Sequence, residues 1–252
     1  MSYLLYCVFR SLAQPEAEAG VGWGVDAQPI LVVERSGLGA AVSELREPDS
    51  LPDVAGVLAY ENVVSSFFRR RTVIPMRYGC AVRDRTELAA VLDRRRQQCQ
   101  ALLHRLEGLA EMGIQVPAEL FPAGPFTAEP SEARAAARLA AVPQMPSSSR
   151  SGASYLSAKK VYYRSADRNV ERQNELAQAV CRPLAGLFVD RKVELPCPGT
   201  SLLSLHFLVP RASVEVFREA SRHALQDVSA KLHISGPWAP YNFAAFSDGG
   251  AA

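Results

Sequence analysis

The sequence is poor in the residue patterns that ordinarily announce chemistry. Its five cysteines (Cys7, Cys80, Cys99, Cys181 and Cys197) are scattered, odd in number and never spaced Cys-x-x-Cys. That excludes the short, regular ligand spacings of a zinc site and a disulfide framework. The four histidines, His104, His206, His223 and His233, fall on separate predicted elements. A histidine on a strand, such as His206 or His233, reads as a hydrogen-bonded sheet residue and not as a ligand. No Gly-x-Ser-x-Gly elbow, Walker loop or His-Glu-x-x-His is present. The acidic residues Glu34, Glu44, Glu61, Asp84 and Asp93 are dispersed and offer no local pair for acid–base work. Cys80, beside Gly79, has no base near it in sequence and reads as a buried, inert thiol. No cofactor, no metal and no enzymatic activity are expected.

Charge of one sign is also lacking. A net charge of +2 gives no electrostatic footprint for nucleic acid. Two rival readings stand beside the non-enzymatic one: a nucleic-acid binder would have to join 69–71 to 94–96, both Arg-Arg-Arg, into one basic face, and an uncharacterised enzyme of ferredoxin-like fold would need a pocket with convergent titratable groups. Long apolar runs are missing too. The opening 1–9 is apolar but lacks a basic flank and is too short for a signal core or a membrane span. No membrane partner is expected, and a reducing, cytoplasmic setting follows as the default. The glycine-rich stretch 20–24 runs into a strand-like segment at 28–33, not a helix, which excludes a dinucleotide fingerprint.

What is present is apolar patterning, with 48% hydrophobic residues over 252 positions, enough for two compact units. The segment 1–9 reads as a first strand. A hairpin follows, with 28–33 and 40–45 flanking Ser36-Gly37-Leu38-Gly39. Apolar residues between 51 and 68 recur at helical spacing, and the cations of 69–71 suit the negative end of that helix. The run 72–82 is strand-like but contains Pro75, which predicts an edge position or a bulge. Arg77 there sits in an apolar context, where its guanidinium needs a carboxylate or carbonyl partner. A single helix is predicted over 86–110, about 40 Å long at ~1.5 Å per residue, capped by Thr86. A further strand is expected at 111–116. With strand, helix and strand on one sheet, residues 1–116 read as a ferredoxin-like α+β domain, its sheet packed under two helices.

Prolines 117, 122, 125, 130, 143 and 146, with Ser147-Ser148-Ser149, mark 117–151 as a linker. Residues 152–252 then read as a second α+β domain. It opens with a long helix at 153–185 bearing Tyr155, Tyr162 and Tyr163, continues with strands at 186–194 and 202–209, and has a helix capped by Ser213. It ends in a strand leading into Ser235-Gly236-Pro237-Trp238-Ala239-Pro240-Tyr241-Asn242-Phe243. The prolines bar this last stretch from a helix or a central strand. Its aromatics suit a stiff tail lying in a groove of its own domain, or a partner-binding strip.

Five segments in order carry a resemblance: Tyr3-Leu4-Leu5-Tyr6; 73–79 with Pro75, Arg77 and Gly79; Glu111-Met112-Gly113-Ile114-Gln115-Val116; Gly152-Ala153-Ser154-Tyr155-Leu156; and the terminal 235–243 with Gly236, Pro237 and Pro240. The series resembles the gas vesicle proteins GvpF and GvpL over nearly the whole chain, and the compact length leans to GvpF. Departures are Met112 where the family usually has Trp, Tyr60 where His is common, Ala239 in place of a proline and Cys80 in place of Thr. The resemblance implies a non-enzymatic accessory or minor structural protein of gas vesicle assembly, located at the vesicle or in the cytoplasm. The implied partners are the hydrophobic shell protein GvpA and other accessory proteins. The surface expected to meet them lies along the 155–184 helix and the tail: Tyr155, Tyr162, Tyr163, Trp238, Tyr241 and Phe243.

Overall fold

The computed structural model describes residues 2–11, 22–45, 53–117, 174–175, 177–194, 202–224 and 233–246. Its organising strand is β1 (Ser2–Arg10), buried from Tyr3 to Phe9. A one-residue register shift between Leu5 and Cys7 explains why β1 reads as an unbroken apolar run. Before the shift Leu4 and Tyr6 face one core, after it Cys7 and Phe9 do, while Tyr3, Leu5 and Val8 face the other. A bulge of this kind exchanges the two faces of a strand without unpairing it.

β1 lies in an antiparallel sheet ordered β2-β3-β1-β4, where β2 is Leu31–Arg35, β3 Leu38–Leu45 and β4 Val73–Pro75; the short β5 (Ala81–Val82) also pairs with β1. Ser36 and Gly37, with φ of 55° and 77°, make the two-residue turn between β2 and β3. Positive φ at both central residues matches the strand twist. Pro75 sits on the edge strand β4, as its missing N–H requires.

Helix α1 (Val54–Arg70) is capped by Asp53, whose side chain accepts the Gly56 N–H at 2.7 Å. It lays Tyr60, Val63, Val64, Phe67 and Phe68 on one face of the sheet. The opposite face is covered by α2 (Arg85–Arg94) and α3 (Arg96–Arg105). The helices therefore sandwich this sheet instead of lying together under one side of it. The single long helix expected over 86–110 is broken at Arg95 (φ −97°, ψ 10°) and begins at the cap Asp84, not Thr86. The break falls among the six residues between the buried Leu92 and Cys99, where the arginines 94–96 stand in place of an apolar anchor.

The strand expected to close this first sheet does not join it. β6 (Leu109–Pro117) is an inner strand of a second antiparallel sheet, β7-β8-β6-β9, with β7 Asp190–Glu194, β8 Leu202–Pro210 and β9 His233–Trp238. The hydrophobic pattern of 111–116 specifies a buried face but not a partner, and β8 supplies the matching one. Met112 faces Phe207, Ile114 faces Leu205 and Val116 faces Leu203. These pack on Phe217 and Val214 of α4 (Val214–Ala224), which begins directly after Ser213, and on Val180, Cys181 and Leu184. One continuous apolar cluster runs from the α1 side of the first sheet into this face of the second. Arg211 fastens the junction: its Nη2 donates to the Phe68 carbonyl at 2.7 Å and its guanidinium lies 3.9 Å from the Phe68 ring centroid.

Candidate functional site

The chain's last described segment crosses from the second sheet back to the first. β9 pairs antiparallel with β6, with a shift between Glu111 and Gly113. At this kink Gly236 has φ +106°, and a Cβ there would stand 2.6 Å from the Glu111 carbonyl oxygen. Only glycine fits both demands. The Gly236–Pro237 bond is cis. Beyond Trp238, the buried Ala239 and Pro240 lead into a 3-10 turn, Tyr241–Phe243, that ends against α3.

The turn is held by polar groups drawn from distant parts of the chain. Glu111 is 5% exposed, deep for a carboxylate. Its Oε2 accepts the Asn242 backbone N–H at 2.9 Å and its Oε1 accepts from Asn242 Nδ2 at 2.6 Å. His206 Nδ1 stands 3.0 Å from the same Oε1. The same Nδ1 lies 2.8 Å from Asn242 Nδ2, so the imidazole, the amide and the carboxylate meet in one three-way contact. The other ring nitrogen, Nε2, faces the Glu194 carboxylate at 3.5 Å. Burial alone would pull the His206 pKa down. The hydrogen bond and charge of Glu111, with the charge of Glu194, outweigh it and hold the imidazole above its ordinary value. Gly113 lies opposite His206 on β8, and a Cβ there would stand 2.6 Å from the Ser235 Oγ of β9.

A second tie reaches α1: Tyr241 donates its hydroxyl proton to Glu61 Oε2 at 2.7 Å. Burial first, and then the Glu61 charge, push the Tyr241 phenol well above its normal range, so it remains a donor at any ordinary pH. Phe243 is fully buried with Leu208, the α3 leucines Leu102 and Leu103, and Leu106 just after that helix, and its carbonyl accepts a hydrogen bond from Arg105 Nη2. The arrangement is that of a clasp. It contains a carboxylate whose two oxygens are engaged by structural hydrogen bonds, and an imidazole whose buried Nε2 has no hydrogen-bond partner among the described residues and faces the Glu194 carboxylate at 3.5 Å. No cluster of three or more metal-ligating side chains occurs among the described residues.

The predicted partner-binding residues therefore divide. Tyr155, Tyr162 and Tyr163 lie outside the described residues. The described end of their segment, with Val180 and Leu184, is buried in the chain's own core. Phe243 is wholly buried and Tyr241 half-buried, while Trp238 is 42% exposed. Among the motif residues, Gly79 takes φ +87° in a turn closed by the Cys80 N–H on the Arg77 carbonyl at 3.1 Å. Arg77 itself is exposed, so the internal partner expected for it is not required. Cys80 is exposed as well, not buried. Tyr60 hydrogen-bonds the Leu5 carbonyl at 2.8 Å and that of Met76 at 2.9 Å, joining α1 to β1 and the residue after β4.

Sequence reasoning did not single out Glu111, Asn242 or Glu194. The available signal was Glu111 itself, an acid on the alternating face of a strand whose neighbours are apolar. Val54, Val57 and Leu58, which share the helical spacing read over 51–68, are 76%, 45% and 59% exposed. Trp23 at 70%, Val189 at 65%, Val216 at 54% and Trp238 at 42% are the other exposed large apolar side chains among the described residues. No described helix is long and apolar enough to cross a membrane.

Comparison with known proteins gives a consistent result. The family model described as gas vesicle synthesis protein GvpL/GvpF matches residues 2–245. Gas vesicle protein L of a Streptomyces species is 27% identical over 82% of this chain and 74% of its own length. Gas vesicle protein F of the same organism is 25% identical over 96% of this chain and 99% of its own. The crystal structure of gas vesicle protein GvpF from Anabaena sp. PCC7120 superposes with a TM-score of 0.70 at 19% identity, covering 98% of this chain and 97% of that one. GvpF from Microcystis aeruginosa gives 0.69 at 15% identity, covering 97% and 99%. At those identities the two structures speak for the fold.

Proposed function

Because the chain belongs to the gas vesicle synthesis protein GvpL/GvpF family, with the role in gas vesicle assembly that membership carries, we propose that it acts there as a non-catalytic docking scaffold. Its partners in this reading are the hydrophobic shell protein GvpA and other accessory proteins, and its place is at the forming vesicle or in the cytoplasm. The observation that carries the reading is the match along nearly the whole chain, 2–245. The physical need is plain. A subunit that builds a gas-facing wall is apolar and aggregation-prone, and it needs a surface that shields it before assembly. The exposed apolar side chains of Trp23, Val54, Val57, Leu58 and Trp238 are what such a partner requires.

Within the tail, the reading assigns contact to Trp238 and support to Tyr241 and Phe243. Tyr155, Tyr162 and Tyr163 are proposed to border the same partner surface. The test is co-purification with GvpA from cells expressing both proteins. Trp238→Ala, and Tyr162→Ala with Tyr163→Ala, are expected to reduce capture while the chain remains folded. Undiminished capture by both folded variants would remove these residues from the surface. Turnover of a metabolite by purified protein would overturn the non-catalytic reading.

A further inference from the structure

β7 is an edge strand: among the described residues its one strand partner is β8. It reads Asp190-Arg191-Lys192-Val193-Glu194, with every side chain exposed except Val193, which is half-buried. Asp190, Lys192 and Glu194 share the sheet face of His206, while Arg191 and Val193 share that of Phe207. Charge on an edge strand ordinarily keeps other strands away. β7 carries both signs within five residues, so it repels some strand orders and answers others. Two of its charges already have neighbours within the chain: Glu194 Oε2 lies 3.5 Å from His206 Nε2, and Lys192 Nζ lies 5.8 Å from the centroid of the Phe243 ring. Both side chains remain exposed to a further partner.

A second copy of the chain can meet this edge about a two-fold axis normal to the sheet. Side chains directly opposite each other in an antiparallel pair lie on the same face, so the axis passes through a residue and never between two. The residue after the axis then meets the residue before it in the copy, and the outward backbone groups find partners in every such register. The side chains must choose among them. An axis through Lys192 sets Lys192 against itself and Asp190 against Glu194 twice. An axis through Arg191 sets Arg191 against itself. An axis through Val193 sets valine on valine and Lys192 opposite Glu194 twice, with Arg191 opposite Leu195 and no like charges facing.

We propose that β7 pairs with the β7 of a second copy about an axis through Val193, joining the two four-stranded sheets into one. The occupant follows from the strand's own order. Of the three registers, this one alone is free of like-charge contacts, and its charged pairs are supplied entirely by the chain itself. In the joined sheet each Glu194 lies between its own His206 and the copy's Lys192, while the two Val193 side chains cover each other. The pairing is separate from the scaffold reading, and neither depends on the other.

The test is sedimentation velocity on the full chain over a concentration series. A reversible monomer–dimer equilibrium is expected, weaker in ~0.5 M salt than in about 0.05 M because its pairs lie at the surface. Lys192→Glu sets two carboxylates against Glu194 of the copies, and Glu194→Lys sets two ammonium groups together. Each, if folded by far-UV circular dichroism, is expected to raise the dimer dissociation constant by at least about tenfold. The double reversal, Lys192→Glu with Glu194→Lys, restores opposite signs and is expected to recover the dimer. That recovery is particular to the Val193 register, since about Arg191 the reversed Lys192 would still face Asp190. A chain monomeric at every concentration overturns the proposal. So does a dimer indifferent to the single reversals, or one that the double reversal leaves dissociated. A monomeric chain whose β7 amides slow in hydrogen exchange only when another vesicle protein is added overturns the second copy in favour of a foreign strand.

Discussion

Replacing Phe243 by alanine separates the two roles assigned to the tail. Phe243 is 0% exposed and packs with Leu208 of β8 and with α3. Truncating a fully buried phenylalanine costs about 3–5 kcal/mol, from lost transfer free energy and from the cavity left behind. At this chain length each kcal/mol moves Tm by ~2–4 °C, so Phe243→Ala is expected to lower Tm by roughly 6–20 °C. Trp238, 42% exposed, has already left much of its ring in solvent. Its truncation to alanine is expected to cost about 1–2 kcal/mol, from the apolar area that remains covered. The assay is thermal unfolding followed by circular dichroism, paired with GvpA capture at a temperature where both variants are folded. The expected order reverses between the two readouts: Phe243→Ala is worse for stability and Trp238→Ala is worse for capture. A Phe243→Ala loss below about 1 kcal/mol would refute the clasp, since no fully buried aromatic anchor behaves so mildly.

The other predictions concern the groups that hold the clasp. His206 is held above its ordinary pKa in the folded chain, so its contribution is fully present below the unfolded value of about 6.5 and is lost as pH rises through the folded one. Stability followed against pH should therefore decline on the alkaline side of that window, and His206→Gln should flatten the decline; an unchanged slope would show that the imidazole is not the group. Gly236→Ala, forced into φ +106° with its Cβ against the Glu111 carbonyl, should destabilise by at least ~1–3 kcal/mol in denaturant unfolding. Tyr60→Phe removes the hydroxyl shared by the Leu5 and Met76 carbonyls and should cost about 1–3 kcal/mol, read by the same method.

The α+β class, most strands and the helix at 54–70 were legible because their apolar residues recur at a recognisable period. Periodicity is a local signal, and the departures occur where a longer-range choice decides. β6 shows its buried face in sequence, but whether it pairs with β1 or β8 depends on complementary side chains some ninety residues away, such as Phe207 opposite Met112. The 86–110 stretch keeps helical spacing on both sides of Arg95, so the break there reflects how α2 and α3 each settle on the sheet. Arg77 looked internal because its neighbours in sequence are apolar, yet the turn at Gly79 carries it outward. The clasp was half visible. Gly236, Pro237 and Pro240 announced a rigid, edge-bound tail, whereas the Glu111, His206 and Asn242 cluster is assembled only by strand register. Val54, Val57 and Leu58 belong to the helical pattern, yet their side chains are exposed.

The central claim is that this chain serves gas vesicle formation by holding partners and not by catalysis. Its most direct measurement is the count of gas vesicles, by electron microscopy, in cells lacking this gene and in the same cells given back the Tyr162→Ala, Tyr163→Ala, Trp238→Ala triple variant. Vesicles absent from the deletion strain, restored by the unaltered chain and not by the folded triple variant, are the predicted result. Vesicles in normal number without the gene would contradict it.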